Sequence, residues 1–233
     1  MASEVLLGFL PYTRSGSPPE EGGARGELWR AVRRAAAASP GGRLGPADFA
    51  MVGAIAAGPS TRVDRVELRG SPGARFAMKT VDLAGAAPTP EDSTPPGEVS
   101  HVKVRRLLVE VEVMQRCVGH PAVCCLFDVF PGERPLTHCL VLELCEGGDL
   151  AAALRAAGGR LPEAAAREHA RQVLEGLGHL HDRGVLLRDL KPENIGLGGG
   201  GGRAGAGGAG GGWRDRLDRC CGAGFWPRAE SGL

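Results

Sequence analysis

The chain has 233 residues, a formal net charge of +1 and a sequence pI of about 7.7. This balance excludes the broad electrostatic attraction with which basic proteins hold nucleic acids and acidic membrane surfaces. The 38 glycines and 17 prolines lie mostly outside the middle of the chain, which predicts a globular centre between low-complexity flanks.

The first predicted elements are an N-terminal extension and three strands. Residues 1–46 form the extension, which we expect to be disordered apart from a helix over the Ala- and Arg-rich residues 27–39. Alternating apolar residues on either side of a Gly-Pro pair in 47–69 predict two strands joined by a turn. The apolar run RFAMKTVDL, residues 75–83, predicts a third strand.

The next segment leaves a helix and a strand open as alternatives. A Pro-rich loop, residues 84–98, leads into residues 101–118, which are apolar enough for a buried helix. The stretch VEVEV, residues 109–113, also alternates like a strand, and local pattern alone does not decide between the two. Two further short strands are predicted in AVCCLFDVF and THCLVLELC, with the turn PGERP between them.

The last predicted elements are helical. Asp149 is placed to cap a short helix in EGGDLAAALRAAGG, and residues 161–184 predict a long amphipathic helix with Pro162 in its first turn. The predicted apolar stripe of this long helix consists of Ala166, Ala170, Val173, Leu177 and Leu180. Residues 198–233 are predicted to form a glycine-rich, low-complexity tail that is disordered over 198–212, because ordered polyglycine loses the most backbone entropy.

The sequence has no pattern typical of a membrane segment, a signal peptide or a metal framework. No apolar stretch approaches the ~18–20 residues of a spanning helix, and the first residues lack the basic region of a signal peptide. The 7 cysteines include no Cys-x-x-Cys spacing, which disfavours a metal site, and their odd number fits a reducing compartment. We therefore expect a cytoplasmic protein, with the nucleus as the alternative, that has neither a membrane nor a nucleic acid as partner.

Six motifs follow one another in the middle of the chain. They are a degenerate glycine loop, FAMK, a helix glutamate, GHP, LVLELCEGGDL and RDLKPEN. In this order and spacing, residues 49–197 resemble the eukaryotic protein kinase family. Lys191, two residues after Asp189, is typical of the serine/threonine class. Phe49, nine residues before Gly58, together with FAMK, favours the cyclic-nucleotide-dependent and related basophilic group.

This resemblance implies an α+β fold. Residues 47–145 would form a small lobe with a five-stranded antiparallel sheet and one helix, and residues 146–197 would begin an incomplete helical large lobe. The implied activity is the phosphorylation of serine and threonine hydroxyls in proteins, with ATP and magnesium as cofactors and a protein as substrate.

Lys79 is the implied contact of the ATP phosphates, and it needs a carboxylate partner on the helix. If residues 101–118 are helical, Leu107, Glu110 and Met114 share one face, and a carboxylate within an apolar stripe requires a cation. Glu112 points away from that face, so Glu110 is the predicted partner. The interval from Lys79 to Glu110 is about a dozen residues longer than is usual in the family, and the Pro-rich loop accounts for the excess.

The resemblance also implies the remaining nucleotide contacts. Gly58 falls on the middle of the three loop glycines, and the other two positions hold Ala56 and Thr61. Val63 and Ala77 would cover the adenine, Glu143 and Cys145 would offer main-chain hydrogen bonds to it, and Asp149 would bind the ribose hydroxyls.

The catalytic residues are implied by RDLKPEN. Asp189 would accept or orient the proton of the substrate hydroxyl, Lys191 would neutralise the transferring phosphoryl group and Asn194 would hold a magnesium ion. Leu187 stands where the family usually has His or Tyr, in a position that packs beneath the loop. No Asp-Phe-Gly follows, so we expect a kinase domain truncated after this loop, with impaired activity. A non-catalytic kinase-like binding module and a non-functional fragment are the alternatives.

Overall fold

The computed structural model describes residues 23–86, 89–198 and 223–225. These residues divide into two compact units. The first comprises the described residues up to Gln115 together with Cys125–Leu144, and the second comprises Arg116–Cys124 and the described residues from Cys145 onward. The predicted disorder of 198–212 lies outside the described residues, apart from Gly198.

A five-stranded antiparallel sheet forms the body of the first unit, as predicted. Its strands are β1 Phe49–Ala57, β2 Thr61–Leu68, β3 Arg75–Asp82, β4 Leu126–Pro131 and β5 Thr137–Glu143. They lie in the order β1-β2-β3-β5-β4, so β3 and β5 are central neighbours. In the antiparallel register Lys79 faces Val63 on one side and Leu140 on the other, which places these three side chains on one face of the sheet.

Helix α1, Ala24–Ala38, precedes the sheet and confirms the helix predicted in the extension. It packs through Trp29, which is 8% exposed and whose ring centroid lies 5.1 Å from that of Phe127. At its C-terminal end the hydroxyl of Ser39 donates to Asp48 Oδ1 at 3.0 Å, just before β1 begins. The helix is therefore part of the first unit and is attached to the sheet by both apolar and polar contacts.

Helix α2, His101–Arg116, settles the alternative that the sequence leaves open. Leu107, Val111 and Met114 are its buried residues, and their spacing is that of one helical face. The Pro-rich loop that precedes α2 has its two ends close together, because Ala84 and Val99 form an antiparallel bridge.

The second unit is mainly helical and contains one small sheet. Its elements are α3 Leu150–Ala156, α4 Glu163–His181, β6 Ile195–Leu197 and β7 Ala223–Phe225. The two strands pair antiparallel, a contact that the sequence did not predict. None of the helices in the described residues is long and apolar enough to cross a membrane.

The predicted stripe of α4 is wrong in part. Leu180 is buried as predicted, but Ala166 and Ala170 are exposed, and His169 and Gly176 are buried instead. Alanines lie on several faces of this helix, so the sequence pattern could not identify the face that packs.

Candidate active site

The ion pair between Lys79 and Glu110 is the charged part of the candidate site in the first unit. Lys79 is on β3 and Glu110 on α2, and Lys79 Nζ lies 2.5 Å from Glu110 Oε1 and 2.8 Å from Oε2. Both side chains are 12% exposed. Glu112 is exposed to solvent, so the structure confirms the predicted register of the helix.

Val63 and Ala77 share the face of the sheet that carries Lys79. Val63 is opposite Lys79 in β2, and Ala77 is two residues before it in β3, where Leu142 of β5 lies opposite. Ala77 and Leu142 are 1% and 0% exposed. The sheet thus places small and branched apolar side chains beside a partly buried cation, as a site for an apolar ring with anionic groups requires.

Gly58 lies in the turn between β1 and β2. Its amide N–H donates to the carbonyl oxygen of Thr61 at 2.7 Å, and the residue is exposed. A Cβ atom at this position would lie 3.2 Å from Thr61 Oγ1. A larger residue would therefore fit here only with a small shift of the Thr61 side chain. Because its amide is used within the turn, Gly58 could approach a phosphate only after this hydrogen bond lengthens.

Glu143, the last residue of β5, is engaged through both its main chain and its side chain. Its N–H donates to the Cys125 carbonyl oxygen at 2.9 Å, and the Cys125 N–H donates to Glu143 Oε2 at 3.3 Å. Arg25 of α1 contacts both carboxylate oxygens, with Nε 2.7 Å from Oε1 and Nη2 2.6 Å from Oε2. No motif or local pattern predicts this contact, which joins residues 118 positions apart.

In the second unit, Asp149 is the N-cap of α3. Its Oδ1 accepts a hydrogen bond from the Ala152 N–H at 2.6 Å, which confirms the predicted cap. This contact uses one oxygen of the carboxylate that the resemblance assigns to the ribose. Cys145, half-buried, begins the same segment, and its carbonyl oxygen accepts from the Gly148 N–H at 3.0 Å.

Close packing fixes this segment against β6. The Gly147 N–H donates to the Leu197 carbonyl oxygen at 3.0 Å, and the Leu197 N–H donates to the Gly148 carbonyl oxygen at 2.8 Å. A Cβ atom at Gly147 would lie 2.9 Å from both Cβ and O of Leu197. Glycine is therefore required at position 147 by close approach of two backbones.

The three predicted catalytic residues converge within the second unit. Asn194 Nδ2 donates to the main-chain oxygen of Asp189 at 2.8 Å and to its Oδ2 at 2.9 Å, while Lys191 Nζ lies 2.9 Å from the same Oδ2. Asn194 is 8% exposed, whereas the side chains of Asp189 and Lys191 are 34% and 42% exposed. The arrangement holds a carboxylate at the surface with a cation beside it and a buried amide behind it.

Leu187 supports this loop from within. It packs against Ile195 together with Leu150, Val173 and Leu177, so an apolar residue serves in the position where the family usually has His or Tyr. The loop that carries Asp189 and Asn194 is thereby anchored at both of its ends in the core of the second unit.

A family model described as the protein kinase domain matches residues 55–198. This range includes both units' candidate residues, from Gly58 to Asn194. The chain belongs to the protein kinase family. Its sequence similarity to serine/threonine kinases places it in the serine/threonine class, and the family generally uses ATP and magnesium.

Three curated plant proteins illustrate the similarity. The chain is 32% identical to a serine/threonine-protein kinase of Arabidopsis thaliana over 79% of its own length and 32% of the relative. It is 34% identical to the protein kinase PINOID of Oryza sativa subsp. japonica, covering 72% of the chain and 32% of the relative. Similarity to the serine/threonine-protein kinase AGC1-5 of Arabidopsis thaliana is 34% over 72% of the chain and 26% of the relative, which agrees with the predicted leaning to the basophilic group. The chain thus spans about a third or less of these relatives.

Proposed function

We propose that this chain carries the nucleotide-binding and catalytic-loop part of a MgATP-dependent serine/threonine protein kinase that acts on protein hydroxyls in the cytoplasm. The observation that carries the proposal is the Lys79–Glu110 pair on the apolar face of the sheet. The proposal extends to the activity of the 233 residues by themselves, which we expect to bind nucleotide weakly and to transfer phosphoryl groups slowly.

The ion pair prepares Lys79 for an anionic ligand. In a lysine side chain that is 12% exposed the ammonium loses hydration, and Glu110 compensates for that loss while fixing the position of Nζ. A phosphate oxygen that enters this position gains a desolvated cation, whose attraction is stronger than that of a lysine in water. Val63, which is partly exposed, supplies apolar surface against which a base would lie, and the buried Ala77 is on the same face of the sheet.

The catalytic loop supplies groups for the transfer itself. Asp189 Oδ2 would accept the proton of a serine or threonine hydroxyl, and Lys191, already 2.9 Å from this oxygen, would turn to the transferring group and neutralise its charge. Asn194 positions Asp189 through two hydrogen bonds from one amide nitrogen. Because phosphoryl transfer depends mainly on positioning and charge stabilisation, this rigid support is what the mechanism requires.

The same residues fit a magnesium ion. Magnesium prefers oxygen ligands, and Asn194 directs its amide nitrogen to Asp189, which leaves the amide oxygen as the ligand-type atom of that side chain. Asn194 would therefore hold the ion. When bound, magnesium neutralises negative charge on the phosphate oxygens.

Slow transfer is expected because one essential part has no counterpart in the sequence. The 233 residues contain no Asp-Phe-Gly, the motif whose aspartate holds the principal magnesium ion in this family. A group displaced by ~1 Å can already lower the rate ~100-fold, so the lack of a metal ligand should lower it further. The single glycine at Gly58 weakens phosphate binding in addition.

Binding and transfer are tested separately on the purified chain. We expect weak MgADP binding by calorimetry that Lys79→Met abolishes, and transfer from radiolabelled MgATP to a basic serine peptide that stays near the background set by Asp189→Asn. A chain that binds no nucleotide would overturn the proposed site. Robust transfer that Asp189→Asn abolishes would overturn the expectation of slow turnover.

A non-catalytic binding module is the second candidate, favoured by the missing Asp-Phe-Gly and by the single loop glycine. The two candidates differ in what the gene encodes after PENIGL. A transcript that continues into an Asp-Phe-Gly segment supports the kinase, whereas transcripts that encode only the present continuation, joined to nucleotide binding without transfer, support the module.

A further inference from the structure

We infer that helix α1 is a positioning element of the nucleotide site, which acts through the ion pair between Arg25 and Glu143. The part of this inference that concerns nucleotide binding rests on the proposed function, which assigns the main chain at the end of β5 to contact with adenine. Glu143 is the residue whose main chain would face adenine, and Arg25 contacts its side chain from α1.

The ion pair has the geometry of a specific contact. Two different nitrogens of the Arg25 guanidinium reach two different oxygens of Glu143, at 2.7 and 2.6 Å. The side chains are 24% and 23% exposed, so the contact is partly shielded from water. Two-pronged pairing of this kind fixes the orientation of the carboxylate as well as its distance, whereas a single surface contact does not.

Glu143 transmits this restraint to the backbone. Its Oε2 accepts from the Cys125 N–H, and its own N–H donates to the Cys125 carbonyl oxygen. Arg25, Glu143 and Cys125 therefore form one network that holds the end of β5 beside the start of β4. The Glu143 carbonyl oxygen, the main-chain acceptor that adenine would meet, belongs to the next peptide unit, which shares the Cα atom of Glu143 with this network.

The contact with Glu143 compensates for an unfavourable charge at the start of α1. Gly23 is the N-cap residue and makes no side-chain cap hydrogen bond, Gly26 is buried in the first turn, and Arg25 places a positive charge at the positive end of the helix. Gly26 and the charge of Arg25 disfavour this end of the helix in isolation, whereas glycine is an ordinary N-cap residue and Glu27 in the first turn favours it. The Glu143 carboxylate offsets the positive charge that Arg25 places at this end of the helix.

Two further contacts make α1 rigid enough to act on Glu143. Trp29 packs against Phe127, whose ring lies 5.1 Å from that of Phe76 in β3. Ser39 is bonded to Asp48 at the other end of the helix. Helix α1 is therefore attached at its beginning, middle and end. It connects the end of β5 with the segment that precedes β1.

The first test measures amide hydrogen exchange in the nucleotide-free chain. Arg25→Gln should accelerate exchange at the Glu143 amide and in the first turn of α1 by about tenfold, the factor expected when one charge-assisted contact is lost. Arg33→Gln, which removes the same charge from an exposed position of the same helix, should change neither rate by more than about twofold. Unchanged exchange at Glu143 in Arg25→Gln would overturn the inference.

The second test measures MgADP affinity by calorimetry. Arg25→Gln should weaken binding by about three- to tenfold, and Arg25→Lys should fall between it and the wild type, because lysine keeps the charge but not the two-pronged contact. In a Glu143→Gln background the Arg25→Gln substitution should have no further effect on affinity or exchange. Equal affinity of Arg25→Gln and wild type would contradict the nucleotide part. A wild-type chain without nucleotide binding would remove the proposed function, and exchange at Glu143 would still decide whether Arg25 positions this segment.

Discussion

Glu110 and Glu112 lie two residues apart on α2, one paired with Lys79 and the other exposed. Replacing Glu110 by glutamine leaves the Lys79 ammonium partly buried without a counter-charge. We expect Glu110→Gln to lower the free energy of unfolding by about 2–4 kcal/mol, as measured by urea denaturation. Glu112→Gln should change it by less than about 0.5 kcal/mol. Equal losses in the two variants would show that the ion pair does not form in solution.

Asp128 in β4 is the residue for which we predict a gain in stability. Burial raises its pKa to about 6 from the ordinary 3.8, although the Val129 N–H donates to Oδ1 at 2.8 Å and lowers the pKa in part. Between these two values the folded protein holds a proton that the unfolded chain has released. The contribution of this carboxyl to stability therefore falls as the pH rises from about 4 to about 6.

Asp128→Asn should remove the free-energy cost of ionising this partly buried carboxyl group. One pKa unit corresponds to about 1.4 kcal/mol, and because the side chain is not completely buried we expect a gain of about 1–2 kcal/mol at pH 7.5. The gain should shrink as the pH is lowered towards 4. Thermal unfolding at several pH values checks this, with the exposed Asp182→Asn as the control. A gain that does not depend on pH would point to packing instead of charge.

At the scale of elements, the N-terminus of α2 depends on a loop residue. Ser100 is completely buried, and its Oγ accepts from the Lys103 N–H at 3.1 Å while donating to Asp92 Oδ2 at 2.5 Å. Hydrogen bonds from Ser100 and Thr94 lower the pKa of Asp92 to about 2. The loop thus supplies both the cap of the helix and the negative charge that favours its N-terminus.

Ser100→Ala should lower the free energy of unfolding by about 1–2 kcal/mol, because it removes the cap and leaves Asp92 with one donor fewer. The matched control is Ser93→Ala, an exposed residue of the same loop, with an expected change below about 0.5 kcal/mol.

The same cap has a pH signature. Because the pKa of Asp92 is lowered in the folded state, its contribution is complete above pH 3.8 and is lost as the pH falls through 2. Denaturation of wild type and Ser100→Ala at pH 5 and at pH 2.5 should therefore show a smaller difference at the lower pH. A difference that grows on acidification would contradict the network.

Prediction from sequence succeeded where a motif and a local pattern agreed. The sheet followed from strand alternation, and the Lys79–Glu110 pair followed from one helical face joined to motif spacing. It failed where distant contacts decide the outcome. Ala-Gly-Phe at 223–225 has no strand pattern of its own, and it becomes a strand only by pairing with Ile195–Leu197. Arg25 could not be assigned to Glu143, since the pairing depends on where α1 packs.

At the scale of the whole molecule, the chain divides into two compact units. A comparison of two glycine variants in the second unit tests whether the units unfold separately. Gly147→Ala should accelerate amide exchange around 147–156 and 195–197, because the added Cβ would lie 2.9 Å from Leu197. Gly178→Ala, in α4 with nothing within 4 Å of the added carbon, should leave exchange unchanged or raise stability by up to about 1 kcal/mol. If Gly147→Ala accelerated amide exchange in the β1–β5 sheet to the same extent, this would show that the two units unfold together.

The Ala84–Val99 bridge has a consequence for how such chains diverge. Lys79 and Glu110 are separated by 31 positions in sequence, yet the bridge brings the two ends of the intervening loop together. Loop-closure entropy grows only slowly with length, so residues gained or lost within the loop away from Asp92, which supports the cap of α2, alter stability little. Natural insertions and deletions can therefore accumulate at this point while the ion pair is inherited intact. When sequences of this family are aligned, a gap between Ala84 and Val99 is therefore more consistent with the structure than a gap between Ser100 and Glu110.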